Sequence, residues 1–167
     1  SQSHPNWHVE DSAWKADQVL KMIGRNSMQI SSIAEIGCGA GEILNQLHNK
    51  LSDKVRFSGF DISADAIKMA KEREKERLQF VHEDIAKTTN KFDLLLMLDV
   101  FEHVEDYLGF LKSVRKNADH FIFHIPLDIS VETVLRNRLI FGRNRGGHLH
   151  YFDKETALAT LKDCGYS

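Results

Sequence analysis

Cysteine is nearly missing from this sequence. Cys38 and Cys164 are the only two, too few for a disulfide framework and wrongly spaced for a cysteine metal site. That usage suits a reducing compartment, and a cytoplasmic protein is expected. No apolar run reaches the roughly 18 residues needed to cross a bilayer, and residues 1–10 lack the apolar core of a secretion signal. No membrane partner is expected. Excess charge is missing too: a formal net charge of -2 gives no broad attraction for phosphate backbones, so no DNA partner is expected. Internal repeats, low-complexity tracts and interdomain linkers are absent. What is present, 42% hydrophobic and 28% charged residues over 167 positions, is the composition of an ordinary globular protein. It is long enough to bury a core without disulfides or a structural metal. A single domain over residues 1–167 is the reading, and it includes no metal site.

The apolar pattern alternates between two periods. Residues 11–24 carry Trp14, Val19, Leu20, Met22 and Ile23 at helical spacing, with Asp11 or Ser12 as cap and Gly24 as stop. Residues 32–36 form a short apolar run entering glycines, and residues 42–51 return to helical spacing through Ile43, Leu44, Leu47 and Leu51. Strands follow at 55–60, 78–82, 92–98 and 120–125, the last halted by Pro126, with helices expected at 63–77 and 107–117. After Pro126 the spacing permits a helix at 129–141, then a basic glycine-rich loop at 142–147. A final helix, 154–163, has Asp153 as its cap and Ala157, Leu158 and Leu161 facing inward. Strands alternating with helices imply an α/β three-layer sandwich around a mostly parallel sheet. The chain then divides into a helical segment (1–31), a cofactor-binding core (32–126) and a substrate-side segment with the last helix (127–167).

The chemistry gathers where strands end. Gly37, Gly39 and Gly41 lie between a strand and a helix, where missing side chains let backbone approach a ligand. Asp61, Asp84 and Asp99 follow three later strands, whose carboxyl ends should open on one crevice. Any one of these aspartates serves equally well as a cap; three in register point to a shared site. A dinucleotide-binding loop would have G-x-G-x-x-G, but here the last of those glycines is replaced by Glu42, which weakens a nicotinamide oxidoreductase reading.

The successive segments Glu35-Ile36-Gly37-Cys38-Gly39-Ala40-Gly41, Gly59-Phe60-Asp61-Ile62-Ser63, His82-Glu83-Asp84-Ile85 and Asp93 to Val104 resemble the motifs of class I S-adenosylmethionine-dependent methyltransferases. They are most similar to the branch that modifies small molecules. The resemblance covers roughly residues 34–166 and includes His148-Leu149-His150-Tyr151-Phe152. It implies a Rossmann-like fold and S-adenosyl-L-methionine as cofactor, with S-adenosyl-L-homocysteine as product. Gly37, Cys38, Gly39 and Gly41 would line its methionine part, with Glu35 fixing the loop. Asp61 would take the ribose hydroxyls as a charged acceptor, Ile62 would pack on adenine, and Asp84 and the Ile85 amide would meet the ring edge. Asp99 and Val100 would lie by the methionine moiety. In that family Trp7, His8, Trp14 and Lys15 fall where a helix often lids the cofactor, although for Trp14 simple packing is the favoured reading. The acceptor side is less defined.

Methyl transfer is an in-line displacement at a sulfonium, so the protein aligns the acceptor, sheds water and in some cases removes a proton. Histidine is the natural base near neutral pH. His103, His124, His148 and His150 are the candidates, with His103 and His148 first because the resemblance places their segments over the acceptor pocket. Arg136, Arg138, Arg143 and Arg145 form a local positive patch. No N/D-P-P-Y/F segment and no Pro-Cys dipeptide occurs, which disfavours the commonest DNA-methylating chemistries; the expected acceptor is a small molecule. The family sheet usually has seven strands, and the last two are not legible here. That leaves a truncated sheet expected to be less stable than one continued through two more strands, with a dimer as one way to cover its edge. A methyltransferase-like domain that binds cofactor or a protein partner without turnover remains open at this point.

Overall fold

The computed structural model describes residues 9–167, with side chains described for 11–144 and 146–167. Five strands form one sheet: β1 (Ser32–Ile36), β2 (Arg56–Asp61), β3 (Leu78–His82), β4 (Phe92–Leu98) and β5 (Ala118–His124). Their order is β3-β2-β1-β4-β5, and every pairing is parallel. β1, β3 and β4 fall where the apolar runs place them. Among the described residues seven α-helices connect and flank them: α1 (Val9–Arg25), α2 (Glu42–Lys50), α3 (Ala64–Ala70), α4 (Tyr107–Val114), α5 (Val131–Leu135), α6 (Arg138–Gly146) and α7 (Lys154–Asp163).

Side chains alternate across each strand, so the sheet has two apolar faces and both are covered. Ala16 and Val19 of α1, Leu44 and Leu47 of α2, and Ile67 and Ala70 of α3 pack with Ile33, Phe57, Leu94, Leu96 and Ile122. On the other face Leu111 and Val114 of α4 and Ala157 of α7 pack with Ala34, Ile36, Phe60, Leu95 and Met97. The result is the expected three-layer α/β sandwich. No described helix is long and apolar enough to cross a membrane.

Several expectations need correction. The helix expected at 63–77 is α helical only over Ala64–Ala70, continuing as one 3-10 turn through Arg73. Beyond it the Phe80 amide donates to the Glu74 carboxylate at 2.9 Å and Lys75 bridges to Leu78, so tertiary bonds take over from helical ones. The expected helix at 129–141 and loop at 142–147 are instead two helices. Asn137 breaks them apart in the left-handed region at φ 51°, and α6 runs on through Gly146 to Gly147 at φ 76°. Asparagine and glycine are the residues that tolerate this conformation. In α7, Ala157 is buried as expected but Leu158 is 55% exposed.

Candidate functional site

Chain order reverses direction in the sheet between β1 and β4. From β1 the chain winds outward through β2 to β3; it then returns to β4 on the other flank of β1 and winds outward again to β5. At such a switch point the connections leave in opposite directions, opening a crevice beyond the strand carboxyl ends. Ile36 is in register with Phe60 of β2 and Met97 of β4, so Gly37 and Asp61 emerge level with Leu98, one residue before Asp99.

The glycine loop is shaped by close approach as well as by torsion. Gly37 has φ 65°, and a Cβ there would lie 2.9 Å from Val100 Cγ2 across the switch point. Gly41 has φ 78°, and its Cβ would lie 2.4 Å from the Phe80 ring. Any side chain at Gly41 would have to displace the ring packed beneath the loop. Glu42, in the place of a dinucleotide-type glycine, opens α2 and is held by Gln46 at 2.7 Å and Arg73 at 2.8 Å. Cys38 is buried and lies in the turn closed by the Gly41 amide on the Cys38 carbonyl.

Asp61 ties this loop to β2. Its Oδ2 accepts from the Gly39 amide at 2.9 Å and its Oδ1 from the Ser63 amide at 2.8 Å. Next to it Ile62 is 78% exposed, an apolar side chain standing at the mouth of a polar crevice. Asp84 caps the turn at Ile85–Lys87, accepting from the Ala86 amide at 3.0 Å, while Ile85 is buried. Glu35 lies on the Ile33 face of β1 and is 2% exposed; among the described residues its Oε2 has no hydrogen-bond partner. Burial pushes its carboxyl up to about 8, with Lys15 acting in the opposite direction.

Asp99 adopts the left-handed conformation at φ 56°, a strained choice for a residue with a Cβ. Its carboxylate is gripped from two sides, by Lys15 Nζ at 2.5 Å and His124 Nδ1 at 2.6 Å. Burial opposes ionisation, but these two partners more than offset it and bring the carboxyl down to about 2. Lys15 therefore fastens α1 over the crevice. Trp14, for which simple packing is the favoured expectation, is instead 55% exposed and meets the His124 ring edge-on with centroids 5.8 Å apart. Trp7 and His8 lie outside the described residues.

The histidines resolve into different settings. His103 and His148 come together, their ring centroids 5.1 Å apart. His103 Nδ1 donates to the Gly147 carbonyl at 3.2 Å, and His148 Nδ1 pairs with Asp128 Oδ2 at 2.6 Å. Between them is Glu102, 1% exposed, with neither side-chain oxygen hydrogen-bonded among the described residues. Burial, with Asp99 acting in the same direction, pushes the Glu102 carboxyl up to about 7. His150 is turned away onto the Val104 carbonyl at 2.9 Å, and His124 serves Asp99. Of the basic patch, Arg136 and Arg138 share Glu132, at 2.9 and 3.7 Å.

Sequence reasoning missed Glu102 and Asp128, and it placed Lys15 on a cofactor-lidding helix without anticipating its ion pair with Asp99. Glu102 stood in a quoted motif next to His103, but the contact that gives it meaning comes from a segment far along the chain. A large hollow of about 520 Å³ lies elsewhere, along β2 and β3 between Arg56, Arg77, Val81 and Glu83, away from Asp99 and the histidines.

Comparison with known proteins decides the family. A family model described as a methyltransferase domain matches residues 11–167. The chain belongs to that methyltransferase family. This removes the nicotinamide oxidoreductase alternative. Among curated relatives, malonyl-[acyl-carrier protein] O-methyltransferase 2 of Ilyobacter polytropus is 34% identical over 88 residues, covering 50% of this chain and 34% of that protein. The mitochondrial ubiquinone biosynthesis O-methyltransferase of Candida albicans is 31% identical over 105 residues, covering 58% of this chain and 30% of that protein. The chain thus spans about a third of the length of these relatives. In fold it is similar to magnesium protoporphyrin IX methyltransferase from Synechocystis, solved with S-adenosylhomocysteine, at a TM-score of 0.71 and 18% identity, covering 100% of this chain and 78% of that one.

Proposed function

We propose that this chain transfers a methyl group from S-adenosylmethionine to a small-molecule acceptor. The observation that carries the reading is the convergence at the switch point of a side-chain-free glycine loop, the Asp61 carboxylate and the exposed Ile62. These are the groups a nucleoside with a charged amino-acid tail requires: a carboxylate for two ribose hydroxyls, an apolar surface for adenine, and open backbone for the tail. Asp84 and Ile85 extend the adenine side, and Asp99 with Val100 flanks the tail. In this reading Glu35 positions the loop rather than touching the reacting atoms.

The cofactor, when bound, supplies an electrophilic methyl on a sulfonium. The chain's own residues align the acceptor against it, and α1, fastened through Lys15, excludes water from the crevice. The printed names of the relatives favour small or carrier-borne acceptors: a malonyl group on its carrier protein, a ubiquinone precursor and a magnesium porphyrin. Two free, buried cysteines support a reducing, cytoplasmic setting.

The test is incubation with methyl-labelled S-adenosylmethionine and separate pools of small carboxylic acids, phenols and RNA. Label entering a small-acid or phenol pool, and lost with Asp61→Ala, is expected. Label entering RNA alone, or none transferred to any pool while S-adenosylhomocysteine binds, overturns the small-molecule assignment or the turnover respectively.

A further inference from the structure

We propose that the hollow along β2 and β3 binds a small organic anion, an apolar ring carrying a phosphate or a carboxylate, away from the switch point. Its volume of about 520 Å³ falls within the range of small-molecule pockets, roughly 300–1,000 Å³. The proposal does not depend on the methyl-transfer reading.

One crossover is too short to cover this part of the sheet. β1 to β2, β2 to β3 and β4 to β5 are each joined through an α-helix, whereas residues 83–91 between β3 and β4 carry only the 3-10 turn Ile85–Lys87. Parallel strands usually take a crossover of a dozen or more residues. On the Ile33 face α1, α2 and α3 complete the core; on the other face α4 and α7 do so, and the short turn adds the buried Ile85. Over β2 and β3 that second face keeps its hollow, which no residue of a described α-helix lines.

The lining is graded from charge to hydrocarbon. Ser58 is in register with Gln79 and Phe60 with Val81, while Arg56 and Arg77 each stand one residue before the paired Phe57 and Leu78. Arg56 to Phe60 spans about 13 Å at ~3.3 Å per residue. Arg56 is exposed, and among the described residues neither arginine has a carboxylate partner. Arg77 is oriented by carbonyls instead, its Nη1 donating to Val55 at 2.9 Å and to Ser52 at 3.4 Å. Like charges on neighbouring strands repel, and an anion between them turns that repulsion into attraction. Further along, the buried Ser58 hydroxyl accepts from Gln79 Nε2 at 3.1 Å and keeps its own proton to donate. Phe60 and Phe92, edge-on with centroids 5.9 Å apart, form the apolar end with the half-buried Val81. Lys91 is already paired with Asp119, and Lys75 is held by Asn45 and Asn49. Glu83, the one acid among the described lining residues, lies beyond Val81, so the acid group of the ligand belongs at the arginine end.

The experiment is calorimetric titration with 2-naphthyl phosphate, 2-naphthoate, 2-naphthol and inorganic phosphate. One equivalent of 2-naphthyl phosphate or 2-naphthoate is expected to bind, the tighter of the two naming the acid group. 2-Naphthol and inorganic phosphate each lack half of the match and should bind at least about tenfold more weakly. Arg56→Gln, at an exposed position, should weaken both acids by about tenfold or more and leave 2-naphthol unchanged. Gln79→Trp, also at an exposed position, fills the middle of the hollow and should abolish binding of both acids. Lys154→Gln, on α7 and outside the lining, should change nothing, and saturating S-adenosylhomocysteine should not displace either acid. Melting curves accompany each variant. Failure of both acids to bind stoichiometrically, 2-naphthol or inorganic phosphate binding as tightly as they do, or displacement by S-adenosylhomocysteine overturns the site. So does indifference to Arg56→Gln and Gln79→Trp in folded protein, or equal loss with Lys154→Gln. S-adenosylhomocysteine titrated alone keeps a failure of the cofactor reading distinct from a failure of this one.

Discussion

Glu35 and Glu102 are carboxyls kept from water, and their effect on stability has a definite sign. Glu35 ionises near 4.5 when exposed but only at about 8 in the fold. Between those values the unfolded chain gives up a proton that the folded chain retains, so folding becomes less favourable as pH rises through that window. Glu102 adds an effect of the same sign up to about 7. Glu35→Gln removes the first contribution and leaves the second. The denaturant midpoint of the wild-type protein should therefore fall between pH 5 and pH 8 more steeply than that of Glu35→Gln; parallel slopes would show that Glu35 is not held neutral. At this scale the sequence was legible where function is local. The glycine loop and the aspartates at strand ends stand where their spacing placed them. Trp14, Lys15 and Glu102 were opaque because their meaning depends on His124, Asp99 and His148, contacts between residues distant along the chain.

Among the elements, α1 is held to the sheet by a charge as well as by its apolar stripe. Ala16 and Val19 bury against the core, while Lys15, itself only 8% exposed, reaches Asp99. Lys15→Met keeps the apolar stem but removes the ammonium, leaving Asp99 with His124 alone. Losing one partner of a half-buried pair costs more than losing a surface pair. Hydrogen exchange in α1 should accelerate by about tenfold or more, corresponding to roughly 1.4 kcal/mol, while exchange in α7 stays unchanged. Equal rates in α1 would place its docking entirely in the apolar stripe. Strand positions were readable because a strand buried on both faces is a nearly unbroken apolar run, as in β4. Helix ends were less readable: α3 stops where Glu74 is drawn to the Phe80 amide, and α5 and α6 are divided by a single left-handed asparagine. Neither leaves a mark in hydrophobic spacing.

At the scale of the whole molecule, five parallel strands turn their carboxyl ends the same way, and the switch point lies between β1 and β4. With a net charge of only -2, the proposed site depends on this geometry rather than on a broad charge. The methyltransferase family was visible in the order of motifs because each sits at the end of a strand, the place where a doubly wound sheet exposes its residues to a ligand. The acceptor was not visible, because α5 and α6 present Leu135 and Ile140 to solvent and an exposed apolar side chain does not specify what it would bind. The cofactor claim is tested most directly by calorimetric titration with S-adenosylhomocysteine and, separately, with NAD, on wild-type protein, Asp61→Asn and Asp61→Ala. Hydrogen bonds to a charged group contribute about 1.5–3 kcal/mol each, so loss of two such bonds should weaken S-adenosylhomocysteine by at least about 100-fold in Asp61→Ala. Asp61→Asn should fall between, and NAD should not bind. Binding of NAD but not S-adenosylhomocysteine, or S-adenosylhomocysteine affinity indifferent to both substitutions in folded protein, would place the cofactor elsewhere or make it a different one.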